Sequence, residues 1–296
     1  MASGYWLVLW LCFGASAGWA QLDCDGRERL NESELKKMTA HSEADEQKQL
    51  KIGLAYQCRG NDAEAARWFE RAAMRGNVVA ETNLGAMYLE GKGVAQDDAA
   101  AARYFLLAAS AGFGPAQNNL ALLYLTGRGV RQSDQATFQW LSRAVANHFY
   151  PAYPSHAAQY LIGKGVARDD KRGFELMLEA AKHGIVLAQA EVAMLYAHGR
   201  GTNADAKKAL EWSLKAAKAG SAEAANNAGY FYAQQGKYSE AVVWYRRAAA
   251  AGIPEAEYNL GELARAGRAP EEKGDGQRLA TDGVKALVPL NTLKEE

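Results

Sequence analysis

β-Branched residues are scarce in this chain. Its 296 residues include 59 alanines but only 17 valines and isoleucines together. Alanine is the strongest helix former and β-branched side chains dominate strands, so this balance favours helices over sheets. A charge excess is also missing, because 34 Lys and Arg face 34 Asp and Glu. Phosphate binding draws on a basic excess, so the zero balance argues against nucleic acid as the principal ligand while leaving room for a local basic row. Cysteine counts only 3 and histidine only 5. The histidines (His41, His148, His156, His183, His198) show no H-E-x-x-H or paired-cysteine spacing, so neither a metal nor a catalytic role is expected. What the chain does have is a hydrophobic content of 49%, enough for a folded core.

The N-terminus carries nine apolar residues, Tyr5–Phe13, followed by Gly14, Ala15, Ser16, Ala17, Gly18, Trp19 and Ala20. Nine residues are too few to span a bilayer comfortably. A short apolar core followed by small residues predicts a secretory signal peptide over residues 1–20, cleaved after Ala17 or Ala20. No Lys or Arg precedes the run, which leaves an uncleaved anchor as the alternative. No lipid-anchoring motif ends at Cys12 or Cys24, since Asp23 directly precedes Cys24. The expected location is the periplasm or the exterior, with the endoplasmic reticulum lumen as an alternative. Cleavage would leave Cys24 and Cys58, which in an exported protein either form one disulfide or remain two unpaired small apolar side chains.

The rest of the chain repeats. Tyr88, Tyr124, Tyr160, Tyr196 and Tyr232 are each 36 residues apart, and Tyr56 lies 32 before Tyr88. Ala80, Ala116, Ala152, Ala188 and Ala224 keep the same step of 36, with Ala256 after 32. A large residue recurs in register at Trp68, Tyr104, Trp140, Leu176, Trp212 and Trp244. Each unit reads as two helices. In the second, helix A covers about Val79 to Glu90 and helix B about Asp98 to Ala111, with Asp97 or Asp98 as N-cap and Gly112 as terminator. Small residues at Gly53, Gly85, Ala121, Ala157, Ala193, Gly229 and Gly261 let helices A and B approach, and the large column is expected to fill the wider gaps. Four turns carry G-K/R-G: Gly91–Gly93, Gly127–Gly129, Gly163–Gly165 and Gly199–Gly201. The first and sixth are shorter, and Asn61 with Glu64 reads as a capping box.

The pattern Ala80-x3-Leu84-Gly85-x2-Tyr88-x2-Gly91-x-Gly93-Val94-x3-Asp98-x3-Ala102, with Ala108-Ala109-x2-Gly112, resembles the Sel-one-like repeat (SLR) branch of the tetratricopeptide superfamily. The resemblance covers about Lys48 to Gly267 and implies an all-α fold, a right-handed superhelical α-solenoid of antiparallel helix pairs. It implies six repeats plus the first helix of a seventh over 48–267, after a charged segment at 21–47. Family members typically hold other proteins together. In the fourth unit, Pro151 and Pro154 predict that helix A starts late, near Pro154. Asn31 with Glu34 predicts a short N-terminal helix. Residues 268–296 read as a polar linker and a final helix, Gln277 to Val288, covering the last repeat.

Two surfaces are candidates for binding. Asn83, Asn119, Asn227 and Asn259 share one column, with Ser155 and Glu191 in the two central units. By the resemblance, such asparagines hydrogen-bond an extended peptide in a concave groove, with Asn118, Asn226, Tyr230 and Tyr258 adding contacts. The bland alternative is that each tethers a neighbouring helix. Lys92, Arg128, Lys164 and Arg200 share the second column, either as solvated turn residues or as a basic ridge for an acidic partner or anionic polysaccharide. Gly14-Ala15-Ser16-Ala17-Gly18 spells a nucleophile elbow but has no preceding strand, and Ser33-Glu34-Leu35-Lys36 lacks the companion motifs of penicillin-recognising enzymes. The cysteine-rich SLR proteins linked to penicillin binding carry a disulfide per repeat, for which this chain has too few cysteines. The expected function is a protein–protein adaptor with no cofactor. The rivals are an envelope structural or polysaccharide-associated protein and, more remotely, a hydrolase.

Overall fold

The computed structural model describes residues 32–40 and 45–268. The expected signal peptide, Cys24, the expected Asn31 cap, the expected linker beyond Arg268 and the expected Gln277–Val288 helix lie outside the described residues. Among the described residues there are fourteen α-helices and no strand. They fall into two compact units, one ending at Asp169 and one starting at Asp170. The first holds α1 (Glu32–Ala40), α2 (Glu46–Gln57), α3 (Asp62–Ala73), α4 (Val78–Glu90), α5 (Asp98–Ser110), α6 (Gly114–Thr126), α7 (Asp134–Ala146) and α8 (Tyr153–Ile162). The second holds α9 (Asp170–Lys182), α10 (Val186–His198), α11 (Ala206–Lys218), α12 (Ala222–Gln234), α13 (Tyr238–Ala250) and α14 (Pro254–Arg265).

Seven of the described helices begin where a side chain satisfies the backbone. The side chains of Asn77, Asp97, Ser133, Asp205 and Ser221 accept from backbone N–H groups in the first turn of α4, α5, α7, α11 and α12. Of the two candidates before α5, Asp97 is the cap, accepting from the Ala100 N–H at 2.9 Å. Asn61 caps α3 by accepting from the Glu64 N–H at 3.3 Å. At the other end of the helices, His148 takes the left-handed conformation, φ 56°, that glycine holds in the equivalent repeats. The long turns close the same way each time. The N–H of Asp97, Ser133, Asp169 and Asp205 donates to the carbonyl of Tyr88, Tyr124, Tyr160 and Tyr196, at 2.9 to 3.0 Å.

The core between helices of a pair depends on matched volumes. A Cβ added to Gly85 would lie 2.8 Å from the Phe105 ring, and one on Gly53 2.6 Å from Phe69. Gly229 stands in the same relation to Tyr245, at 2.6 Å. Phe69, Phe105 and Tyr245 are almost wholly buried. The gap-filling residue is therefore the one after the large column read from sequence. One residue is 100° around a helix, which moves Trp140, Trp212 and Trp244 to the half-buried edge. There Arg143, Lys215 and Arg247 lie over their rings at 4.4, 4.1 and 5.6 Å.

The ends behave differently from a simple charged leader. α1 docks through Leu35, which is 5% exposed and packs with Ile52 and Trp68. The first helix of the array starts at Glu46, capped by Asp45, slightly ahead of Lys48. In the fourth repeat a 3-10 turn at Tyr150–Ala152 absorbs Pro151, and α8 begins at Tyr153 with Pro154 in its first turn. Cys58 is disulfide-bonded.

Candidate protein-docking face

The G-K/R-G turns clamp one repeat onto the next. Gly129 has φ 66°, and a Cβ there would overlap the Asp98 carbonyl at the start of the preceding helix B. Gly165 and Gly201 sit on Asp134 and Asp170 in the same manner. Only glycine permits both the φ and the approach. The cation between the glycines then reaches the side chain of that same aspartate. Arg128 donates Nε at 3.1 Å and Nη2 at 2.7 Å to the Asp98 carboxylate, and Nη2 also to the Leu89 carbonyl at 3.0 Å. Lys164 pairs with Asp134 at 3.4 Å, and Arg200 with Asp170 at 3.1 Å. Lys92 turns instead to Glu90, at 2.7 Å.

Lys92, Arg128, Lys164 and Arg200, the candidate basic ridge, thus each stand beside a carboxylate. Every cation is neutralised by an acid, so the row is a ladder of ion pairs. The signal was present in sequence: Asp98, Asp134 and Asp170 each precede their cation by 30 residues. The Arg128 guanidinium, hydrogen-bonded to Asp98, holds its carboxyl below the usual range.

The asparagine column lies on the helix-A face of each unit, and the two units use it differently. In the first, Asn83 and Asn118 are 5% and 7% exposed, and Asn119 is half-buried. None of the three makes a side-chain hydrogen bond among the described residues, and none of their amide atoms is sealed from solvent. In the second unit the amides are tied together. Asn259 Nδ2 on α14 donates to Asn226 Oδ1 on α12 at 3.0 Å. Asn227 Nδ2 on α12 lies 3.5 Å from Met194 Sδ on α10. The tethering alternative therefore describes Asn226, Asn227 and Asn259, while Asn83, Asn118 and Asn119 keep free hydrogen-bonding capacity. Tyr230 stacks edge-on against Phe231 at 5.5 Å, and Arg265 lies over the Tyr258 ring at 5.9 Å.

One serine–histidine contact appears off this face. Ser142 Oγ lies 3.4 Å from His156 Nε2, but donates to the Phe138 carbonyl one turn back at 2.8 Å. His156 is 5% exposed and packed against Phe138 at 4.8 Å, so the contact belongs to the interior. Among the described residues no group of His, Cys, Asp and Glu could hold a metal ion, and no helix is long and apolar enough to cross a membrane.

Comparison with known proteins places this architecture. No curated protein matches the sequence significantly. Among solved structures, one similar protein is a protective antigen of uropathogenic Escherichia coli strains displaying an SLR fold. It is 24% identical with a TM-score of 0.71, over 86% of this chain and 64% of that one. This chain thus spans less than two thirds of that antigen. A Sel1 repeat protein from Oxalobacter formigenes is 28% identical with a TM-score of 0.69, over 80% of this chain and 99% of that one. The Sel1 repeat itself matches at residues 52–77, 78–113, 114–148, 157–185, 186–221 and 222–253. Those six matches cover most of the chain, which belongs to the Sel1 repeat family of α-solenoid scaffolds, typical of protein–protein interaction.

Proposed function

We propose that this protein is an exported adaptor that holds an extended segment of a partner protein along the helix-A face of its first unit, in envelope assembly, secretion or signalling. The observation that carries this reading is the set of uncommitted amides at Asn83, Asn118 and Asn119. An asparagine amide offers one acceptor and two donors, matching the carbonyl and N–H of a peptide backbone. These amides reach solvent and are not spent on the fold, so a peptide backbone can exchange with the water that meets them. Preformed helices lower the ordering cost on the scaffold side.

The test is capture of partner from native extract by wild type and by an Asn83→Ala/Asn119→Ala variant, with circular dichroism verifying the fold. A partner held only by wild type is the expected result; equal capture by both sinks the reading.

Export draws support from the Tyr5–Phe13 run and from the disulfide at Cys58, which fits an oxidising compartment. In native cells Cys58 should resist maleimide labelling until a reductant is added. A freely reactive Cys58 in a cytosolic fraction would overturn export.

A further inference from the structure

Glu191 occupies the asparagine column on α10, 36 residues before Asn227. It is three residues before Met194, so both point to one side of the helix. Met194 touches Asn227, and Asn226 bonds Asn259. The α10, α12 and α14 helices of the second unit therefore present one continuous face, with a carboxylate where its neighbours carry amides. Glu191 is partly exposed and has no hydrogen bond or ion pair within 4 Å among the described residues. The cation whose field reaches it, Arg200, is held by Asp170 at 3.1 Å.

We propose that Glu191 is the anchor for a lysine or arginine of a protein segment docked on this face of the second unit. This rests on the adaptor reading and names the chemistry that the second unit's own face selects. Burial pushes the Glu191 carboxyl up, with Arg200 opposing in part. A desolvated carboxylate without a close cation is the group that gains most from one. A guanidinium or ammonium arriving there replaces lost hydration by a charge-assisted hydrogen bond. Tyr230, on the next turn of α12, adds an amphipathic ring to the same face, where the alkyl stem of a long cation can lie. The amides of Asn226, Asn227 and Asn259 are already engaged, so they fix the floor of the site.

The probe is a random 12-residue peptide library displayed on phage, selected separately on the wild-type chain and on Glu191→Gln. This substitution keeps shape and removes charge. Wild type should enrich peptides with a lysine or arginine at one position. Glu191→Gln should still select peptides but without that enrichment, and should bind the wild-type winners about tenfold more weakly. Binding of those winners should fall with added salt for wild type and much less for the variant. Peptides without a cation preference, or an enrichment that survives Glu191→Gln, overturns the anchor while leaving the docking reading intact. No peptide selected by either chain overturns both. Glu191→Gln is expected to stay folded, and matching circular dichroism spectra exclude a trivial loss.

Discussion

The second and fifth repeats align residue for residue, yet they differ at several positions that face a neighbour. On α4 the column carries Asn83, then Gly85 beneath the Phe105 ring. On α10 it carries Glu191, then Ala193, and Ser213 stands where Phe105 does. What stays constant is the frame: an N-cap carboxylate at Asp97 and Asp205, a tyrosine carbonyl closing the turn, and glycines against the preceding repeat. The contrast teaches that backbone devices fix the repeat, and the side chains on its faces are then available for packing or for binding. Each repeat touches chiefly its neighbours, so substitutions should act locally and are best read by hydrogen exchange in the affected helices.

The largest expected effect breaks the comparison at the Phe105 position. Phe105→Ala should cost about 3–5 kcal/mol, because it removes a buried ring and leaves a cavity. Ser213 is 0% exposed and its hydroxyl has no hydrogen-bond partner among the described residues. Ser213→Ala should be neutral or stabilising by up to about 1 kcal/mol, since it removes an unmade hydrogen bond. Similar losses at both sites would mean that the fifth repeat packs as tightly as the second.

A smaller effect comes from the facing glycine. Gly85→Ala puts a methyl 2.8 Å from the Phe105 ring, overpacking worth about 1–3 kcal/mol. Adding Phe105→Leu should recover part of that loss, because it recreates the Ala121 and Leu141 combination of the third repeat. A double variant less stable than Phe105→Leu by the full Gly85→Ala penalty would show no coupling and refute volume matching.

The asparagines sharpen the contrast further. Asn259→Ala should cost about 1 kcal/mol, because the Asn226 carbonyl loses its donor. Asn83→Ala should change stability by less than about 0.5 kcal/mol while weakening partner binding. Thermal melts and binding measurements on the two variants would separate the tether from the docking amide.

These pairs also show what a sequence of this kind discloses. Tyrosine and alanine columns at 36 residues, the caps and the G-K/R-G turns are legible, because each reports a local backbone requirement. The late start of the fourth repeat is legible for the same reason, since proline acts on its own turn. The core-filling residue lies one position away from the large column that the spacing singles out. The columns through Tyr104 and Phe105 share one period, and only packing settles which faces inward. The ion ladder escapes a repeat-by-repeat reading because Asp98 and Arg128 lie 30 residues apart and belong to different repeats. The split use of the asparagines depends on which neighbour stands opposite, a property of two helices rather than one.

The smallest effects concern protons, and they take opposite signs in the two units. Asp98 has its carboxyl lowered by the Arg128 hydrogen bonds. Its contribution is therefore complete above the unfolded carboxylate pKa of about 4 and is lost as pH falls through the lower folded value. Both side chains are 32% exposed, so Arg128→Gln should cost only about 0.5–1 kcal/mol at pH 7. The penalty should fade below about pH 4, once Asp98 is protonated in wild type as well. Glu191 has its carboxyl raised by burial. Its ionised form opposes folding, so its penalty is full above the folded pKa and is relieved as pH falls toward the unfolded one. Acidification from pH 7 should thus strengthen local protection of α10 before it weakens protection of α5, and Glu191→Gln should flatten the first trend alone. Hydrogen exchange across this pH range, corrected for intrinsic rates, reads both helices in one sample. Parallel pH trends in α5 and α10 would show that the two carboxylates share one environment, and the contrast between the units would fail at its charged positions.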